Sequence, residues 1–337
     1  SRILENGLFM IILKNAHLSV EIDEAQGAEI RGIFTPDGRN ALAWYDWSSP
    51  TPVGKGASYG SSEMDWLSGY RGGWQETIPN AGQVCQINGV EMGFHGDASR
   101  SKWSVIEHGS DWCTLETSTR FPITVRRTMR LDPNKPVLHI EGHVSNDSDL
   151  EIDFLWGHHP AFPSVDGGRI DLPEGCTIHP DVDRSGDLRV QESDWPIARS
   201  HSGVAVDLSE QPAVGAHRLL YVTGNKAGWS AVRQPEPYVS VAMAWDVAKH
   251  PYNWLWTMRG TPEYPWYGRA SMFALEAQSS WPYDGLANAI SRGQGLKIGP
   301  QGKESSWLTL TIIPNGSHKV TGVNKSGDVT FHDSEVK

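Results

Sequence analysis

The sequence has few cysteines, an excess of acidic over basic residues, and no long apolar run. Its three cysteines, Cys85, Cys113 and Cys176, form no CxxC pair, which predicts reduced thiols and a cytoplasmic protein rather than a disulfide scaffold. Lys and Arg number 29 against 40 Asp and Glu, for a net charge of −11. Because nucleic acids and anionic membranes attract clustered positive charge, neither is an expected partner.

Membrane-spanning and helical patterns are also missing. The longest strongly apolar run, residues 8–13, is far shorter than the roughly 20 residues that cross a bilayer, so no membrane span is expected. The first five residues, SRILE, lack the basic and apolar regions of a signal peptide. No amphipathic helical pattern of about 12 or more residues occurs, which argues against a helical bundle.

Strand and turn patterns dominate instead. Apolar and polar residues alternate in several segments, as a half-buried strand requires, and turn-forming Pro, Asp, Asn and Gly separate them. The clearest segments are 138–144, 152–156, 239–245 and 308–312. This pattern predicts an all-β fold, a large antiparallel β-sandwich. We expect residues 1–314 to form a single domain and the polar segment 315–337 to be a loosely ordered tail.

Two long stretches without alternation interrupt the strands, at 46–82 and 258–270. Loops this long in a compact domain are usually functional. The chain also has 15 tryptophans, several times the usual share. Their rings either fill the core or form platforms on which a sugar ring stacks, and composition leaves both interpretations open.

An acidic residue lies within the apolar segment 272–278, MFALEAQ. Strand alternation places Phe273 and Leu275 on one face and Glu276 and Gln278 on the other. Burying a carboxyl group among apolar residues costs free energy unless the group is hydrogen-bonded or paired. Glu276 is either a hydrogen-bonded structural residue or a general base whose pKa burial has raised.

Two adjacent histidines, His158 and His159, end the strand pattern in the segment 155–163, LWGHHPAFP. Their side chains point to opposite faces of the strand, so one of them should face a cleft. Histidine can donate a proton near neutral pH, which makes it the natural acid partner of Glu276, although a structural role stays open. His139 and His143 are about 13 Å apart on an extended strand, too far to share a metal ion, and no metal site is predicted.

The segment 71–97 mixes polar groups with aromatic rings. Such a mixture is typical of a sugar-binding cleft, with a solvated loop as the alternative. The residues concerned are Arg71, Trp74, Gln75, Glu76, Asn80, His95 and Asp97.

Three motifs, FHGD, GHHPAFP and FALEAQ, in this order and at about these distances, resemble the aldose 1-epimerase (galactose mutarotase-like) family. The resemblance spans residues from about 8 to 313. It implies the β-supersandwich fold, with His159 as the catalytic acid, Glu276 as the base and His95 as a sugar contact. It also implies a mutarotase, an isomerase that needs neither metal nor cofactor and interconverts the anomers of a free monosaccharide.

The chain departs from the family pattern in two places. Where members that act on galactose have adjacent Asn and Arg, this chain has GYRGGWQETIPNAG, in which Arg71 and Asn80 are loose counterparts. The family's substrate-binding Asp has its nearest counterpart in Asp246. The remaining candidates for substrate binding are Arg71, Trp74, Glu76, Asp97, His158, Asp246, Arg259 and Gln278.

Several arginines near the motifs favour an anionic aldose, since guanidinium groups bind carboxylate, sulfonate and phosphate. They are Arg71, Arg100, Arg259 and Arg269. Two other functions stay open. One is a carbohydrate-binding protein without catalysis. The other is a glycoside hydrolase or lyase that pairs Glu276 with Glu76 or Asp97 at a carboxylate separation of about 5–10 Å. The protein is expected to be a monomer or a homodimer.

Overall fold

The computed structural model describes residues 2–3, 9–47, 58 and 60–332. Within this part of the chain, strands and tight turns predominate, and every strand pairing is antiparallel. The prediction of an all-β antiparallel fold is confirmed. The helices of the described residues are too short to cross a membrane.

The described residues form 27 strands and two short α-helices, numbered here in chain order, and one 3-10 helix at Asp97–Ser99. The first strands are β1 (Arg2–Ile3), β2 (Phe9–Lys14), β3 (Ser19–Asp23), β4 (Glu29–Phe34), β5 (Trp74–Thr77), β6 (Cys85–Ile87), β7 (Val90–Met92), β8 (Ser104–His108) and β9 (Trp112–Ser118). The next are β10 (Ile123–Leu131), β11 (Val137–Asn146), β12 (Ile152–Phe154), β13 (Gly157–Pro163), β14 (Arg169–Asp171), β15 (Thr177–Pro180), β16 (Ser193–Asp194), β17 (Ile197–Arg199) and β18 (Ala205–Asp207). The last are β19 (His217–Thr223), β20 (Trp229–Arg233), β21 (Ser240–Trp245), β22 (Tyr252–Arg259), β23 (Ser271–Gln278), β24 (Leu296–Ile298), β25 (Lys303–Ile313), β26 (Val320–Val323) and β27 (Val329–Phe331). The helices are α1 (Ser62–Gly69) and α2 (Leu286–Ser291).

Two large sheets make up the sandwich. The first has eleven strands in the order β1-β2-β3-β4-β5-β13-β23-β22-β19-β15-β16, and the second has eight in the order β14-β20-β21-β25-β11-β10-β9-β8. The main hydrophobic core lies between them, where Val20 and Ile30 of the first sheet join Val125, Met129 and Leu138 of the second. Burial of these apolar side chains from water is the main force that holds the two sheets together.

The central strands of the eleven-stranded sheet are buried on both faces. Along β23, Phe273 and Leu275 enter the core between the sheets, whereas Met272 joins a second cluster on the opposite face. Along β22, Leu255 faces the core while Trp254 points away from it. Successive side chains of a strand point to opposite faces, so this sheet has an inner face towards the second sheet and an outer face covered by aromatic residues.

Two segments differ from the sequence-based expectation. The stretch 46–82 contains α1 and β5, although its residues 48–57 and 59 lie outside the described residues. Residues 320–331, expected in a loosely ordered tail, form the hairpin of β26 and β27. The hairpin is ordered because Val320 is buried against Trp229, and its backbone N–H donates to Asp171 at 2.9 Å. Residues 333–337 lie outside the described residues, and the domain boundary at 314 stays a prediction.

A buried ion pair joins the two sheets. Nη1 of Arg127 on β10 lies 3.2 Å from Oε2 of Glu76 on β5, and the two side chains are 1% and 0% exposed. The other carboxylate oxygen of Glu76 accepts a hydrogen bond from Trp156 Nε1 at 2.7 Å. The guanidinium also donates to the Ala28 carbonyl and lies over the ring of Trp103. A charge this deep is tolerated only while its partners remain in place.

We expect Arg127→Met to lower the free energy of unfolding by about 3–5 kcal/mol, because it leaves the Glu76 carboxyl buried without its cation. Urea unfolding followed by tryptophan fluorescence measures the loss. Adding Glu76→Gln to this variant should restore part of the stability, since the amide needs no counter-charge and still accepts from Trp156.

Arg126→Met is the matched control on the same strand. Its side chain is 50% exposed and pairs with Glu116, so we expect a loss under about 1 kcal/mol. Equal losses for Arg126→Met and Arg127→Met would contradict the interpretation that the buried pair joins the sheets.

Candidate active site

A cavity of about 140 Å³ opens on the outer face of the eleven-stranded sheet. Four adjacent strands, β13, β23, β22 and β19, form its floor, and α1 forms part of its wall. The lining residues are Glu63, Trp66, Leu67, Tyr70, Phe94, His95, His159, Arg184, His217, Leu219, Trp254, Trp256, Glu263, Tyr264, Trp266, Glu276 and Tyr283. The volume is close to that of one monosaccharide ring, and the lining combines aromatic rings with a few polar groups, as small-molecule sites commonly do.

His159 and Glu276 meet at the floor of this cavity. Nε2 of His159 lies 3.3 Å from Oε1 of Glu276, and the two side chains are 5% and 2% exposed. The neighbouring strands β13 and β23 carry them, and both residues fall on the outer face by strand alternation. An acid and a base are thus within proton-transfer distance of each other in a nearly dry site.

Burial controls the charge of Glu276. It raises the pKa of this carboxyl to about 8, and the hydrogen bond from Gln278 opposes part of the rise. Gln278 Nε2 donates to Oε2 at 3.0 Å. Gln278 is held in turn by close packing on Gly157, where a Cβ atom would lie only 1.7 Å from the Gln278 amide oxygen. Glycine at 157 therefore leaves the room that Gln278 needs to support the carboxyl group.

Burial acts on His159 in the opposite direction, lowering its pKa to about 4. Both shifts favour neutral side chains, so between these two pKa values the pair holds one proton shared between the carboxyl and the imidazole. The Tyr70 hydroxyl lies 3.5 Å from Nδ1 of His159. Either group can be the donor in this contact, depending on which nitrogen of the imidazole carries the proton.

His95 provides a second imidazole at the cavity. Its Nδ1 accepts the backbone N–H of Gly82 at 3.1 Å, so the proton of the neutral ring is on Nε2. Burial, with a smaller effect of His159, holds the pKa of His95 well below its usual value. The ring centroids of His95 and His159 are 5.3 Å apart. His95 is therefore a neutral hydrogen-bond donor beside the acid-base pair.

The aromatic wall was missed by sequence reasoning. Trp66 stacks on Tyr70 with centroids 4.6 Å apart, and both rings contact His159 edge-on. Trp254 and Trp256 of β22 lie on the same face, and Trp254 is directly opposite Glu276 in the register of β22 and β23. The alternating tryptophans of the segment NWLW, 253–256, were the signal that could have found this part of the wall.

The predicted site residues separate into three groups. His95, His159 and Glu276 line the cavity, and Gln278 supports Glu276 from behind. Three others face the core between the sheets and not the cavity, and their contact with a ligand stays a prediction. They are Trp74, Glu76 and His158. The reason is strand alternation, since His158 precedes His159 and must point to the opposite face.

The third group lies outside the cavity and has other partners. Arg71 donates to the Trp47 carbonyl, and Asp97 is paired with Arg120. Asp246 accepts the Ala248 N–H in the turn after β21. Arg259 pairs with Asp166 at 2.9 Å and donates to the Pro212 carbonyl. None of these residues is among the described lining of the cavity, and their role in binding stays a prediction.

The charge of the cavity differs from the sequence-based expectation. The four arginines that suggested an anionic ligand do not line it. Among the described lining residues the sole guanidinium is that of Arg184, which lies 3.9 Å from Glu63 and over the ring of Tyr283. Glu263 adds a carboxylate at the rim. The second carboxylate that a glycoside hydrolase would need cannot be Glu76 or Asp97, since neither lines the cavity.

Comparison with known proteins gives a fold and no sequence match. No protein-family model matches the chain, and no curated protein sequence matches it significantly. A proposed aldose 1-epimerase from Klebsiella pneumoniae aligns at a TM-score of 0.65 and 14% identity, over 92% of this chain and 80% of that chain. A proposed aldose 1-epimerase from Escherichia coli K12 aligns at 0.59 and 17% identity, over 91% and 99%.

A galactose mutarotase related enzyme from Lactobacillus acidophilus aligns at a TM-score of 0.56 and 15% identity, over 91% of this chain and 98% of that chain. Identities this low establish the fold alone. The three structural alignments agree with the fold that the motifs FHGD, GHHPAFP and FALEAQ implied. The chain therefore has the all-β sandwich fold of the aldose 1-epimerase and galactose mutarotase-like proteins.

Proposed function

We propose that the protein is an aldose mutarotase, which interconverts the anomers of a free sugar with His159 as the acid and Glu276 as the base. The observation that carries the proposal is the 3.3 Å contact between these two side chains at the floor of a cavity of monosaccharide size. The aromatic wall supports it, because the apolar face of a pyranose stacks on such rings. The fold shared with proposed aldose 1-epimerases supports it as well.

The proposed reaction moves two protons and breaks one bond. The Glu276 carboxylate takes the proton of the anomeric hydroxyl, the C1–O5 bond breaks as C1=O forms, and protonated His159 gives its proton to O5. The aldehyde then rotates about C1–C2. Closure onto its other face returns the proton of O5 to His159 and the proton of Glu276 to the new anomeric hydroxyl.

The electrostatics of the pair suit this cycle. After ring opening, Glu276 is a carboxylic acid and His159 a neutral imidazole, which are the forms that burial favours. The site thus stabilises the open-chain stage relative to the charged starting pair. His95, with its proton on Nε2, is proposed to donate a hydrogen bond to a sugar oxygen.

The proposed aldose places no charged group in this cavity. Arg184 is close to Glu63, and Glu263 adds a second carboxylate at the rim, so the rim offers no excess positive charge to an anion. A carbohydrate-binding protein without catalysis remains the competing function, and the experiment below separates the two.

We expect Glu276→Gln to lower the rate of anomer exchange at least about 100-fold, since the amide cannot accept the proton, while sugar binding persists. Exchange NMR on a panel of free aldoses measures the rate, after subtraction of the spontaneous reaction, and saturation-transfer NMR measures binding. Glu107→Gln, an exposed change on β8, is the matched control and should leave the rate unaltered.

Two outcomes would decide against the proposal. If Glu276→Gln interconverts the anomers at the wild-type rate, Glu276 is not the base. A wild-type protein that binds an aldose without accelerating its interconversion would be a binding protein of the same fold.

The pH dependence follows from the shared proton. Between about pH 4 and pH 8 the pair holds one proton, and kcat/KM should be nearly constant. Below about pH 4 both groups are protonated, so Glu276 cannot accept the proton of the anomeric hydroxyl. Above about pH 8 the pair has lost its proton, so His159 cannot donate one to O5. Polarimetry across this range, with circular dichroism to check folding, tests the profile. A single inflection near pH 6.5, the usual pKa of histidine, would contradict it.

A further inference from the structure

A second cavity lies beside the first, with a volume of about 510 Å³ and an opening to solvent. The two cavities share Phe94 as a lining residue, and Ser62 of the second is the chain neighbour of Glu63 in the first. The lining of the second cavity is polar, and nothing in the proposed mechanism uses it. Its residues are Ser62, Gly93, Phe94, Gly96, Asp97, Arg100, Ser101, Ser118, Thr119 and Arg120.

Arg100 is the unusual residue of this cavity. Its side chain is half-buried, yet its guanidinium makes no hydrogen bond or ion pair with any residue in the described ranges. Burial lowers the pKa of Arg100, with Asp65 opposing the shift and the nearby charge of Arg120 adding to it. A guanidinium has five N–H donors, and holding them partly out of water without acceptors costs free energy.

Arg120 places a second guanidinium at the same cavity. Its Nε lies 3.2 Å from Oδ1 of Asp97, and its backbone N–H donates to Oδ2 at 2.7 Å. Both oxygens of Asp97 are thus engaged by Arg120, and little of that negative charge is left for Arg100. Asp65 acts on Arg100 from nearby but forms no ion pair with it, and Arg100 and Arg120 repel each other across this polar cavity. An anion between the two guanidinium groups is therefore stabilised by both of them.

Hydroxyl groups complete the lining. Ser62 accepts the Phe94 N–H at 2.8 Å, Ser101 donates to the Asp97 carbonyl, and Thr119 donates to the Phe121 carbonyl. Ser118, at the exposed end of β9, has no side-chain hydrogen bond to any of the described residues. Arginines combined with serine and threonine hydroxyls are the groups that proteins use to bind tetrahedral and planar oxyanions.

We infer that this second cavity binds a small oxyanion, a phosphate, sulfate or carboxylate group, held mainly by Arg100 with help from Arg120. The site is separate from the acid-base pair and does not depend on the proposed function. Because the two cavities adjoin at Phe94, the anion is either free in solution or a substituent of the molecule whose sugar ring occupies the first cavity.

Calorimetric titration of the full chain with inorganic phosphate and with sulfate tests the inference. We expect saturable binding that Arg100→Gln weakens at least about tenfold. Arg100→Lys should give an intermediate loss, since the ammonium keeps the charge but not the planar set of donors. Arg199→Gln is the matched control, because this exposed arginine on β17 lines neither cavity, and it should bind as the wild type does.

Ser118→Asp is a second test that leaves Arg100 and its packing in place. Ser118 is exposed, so the change should not disturb folding, and a carboxylate there should repel the anion and weaken its binding. The inference is overturned if the wild type binds neither anion saturably. It is also overturned if either Arg100→Gln or Ser118→Asp binds the anion as tightly as the wild type. Thermal unfolding and circular dichroism check that Arg100→Gln is folded.

The two sources of the anion give different results with a hexose 6-phosphate as a third probe. If the sugar carries the anion, this probe binds more tightly than inorganic phosphate or the neutral hexose, and Arg100→Gln removes the advantage. If the anion is free, phosphate binds equally well with and without the neutral hexose. Calorimetry reports both results even if the protein accelerates no anomer exchange, so failure of the proposed function would not be confused with failure of this site.

Discussion

Strand alternation across the eleven-stranded sheet is the constraint on which the site depends. His158 and His159 are chain neighbours on β13, yet one faces the second sheet and the other faces the cavity, because successive side chains of a strand point to opposite faces. The same rule puts Leu275 in the core and Glu276 on the outer face. A slip of one residue in β13 or β23 would exchange these sets and abolish the acid-base pair.

Each face of the eleven-stranded sheet holds a buried carboxyl group, and the two groups differ in whether a cation pairs with them. Burial raises the pKa of both, but at Glu76 the Arg127 guanidinium and the Trp156 indole oppose the rise and keep the charge paired. At Glu276 the hydrogen bond from the neutral Gln278 amide is the opposing interaction, and the pKa reaches about 8. One carboxylate therefore joins the sheets, while the other can exchange a proton near neutral pH.

The aromatic residues that cover the outer face of the eleven-stranded sheet keep the acid-base pair dry. Trp66 and Tyr70, at and just after α1, close over His159, and Trp254 and Trp256 flank Glu276 from β22. These rings exclude water from the pair and shift both pKa values towards the neutral forms. The polar cavity at Arg100 lies just beyond Phe94, so a dry, nearly neutral compartment adjoins an open one that carries two guanidinium groups.

The sequence by itself determined the fold class and the three motifs that form the site. Period-two alternation predicted the strands, and the isolated carboxyl group in MFALEAQ marked Glu276, because both signals are local along the chain. Only the tertiary structure decided which of the remaining candidates share the cavity. Glu76 and Arg71 are near the motifs in sequence, but sheet pairing sends the first into the core and gives the second a backbone partner. Arg184 and the aromatic wall come from segments far apart in the chain, and the proximity of such segments is set by strand order, which no local pattern encodes.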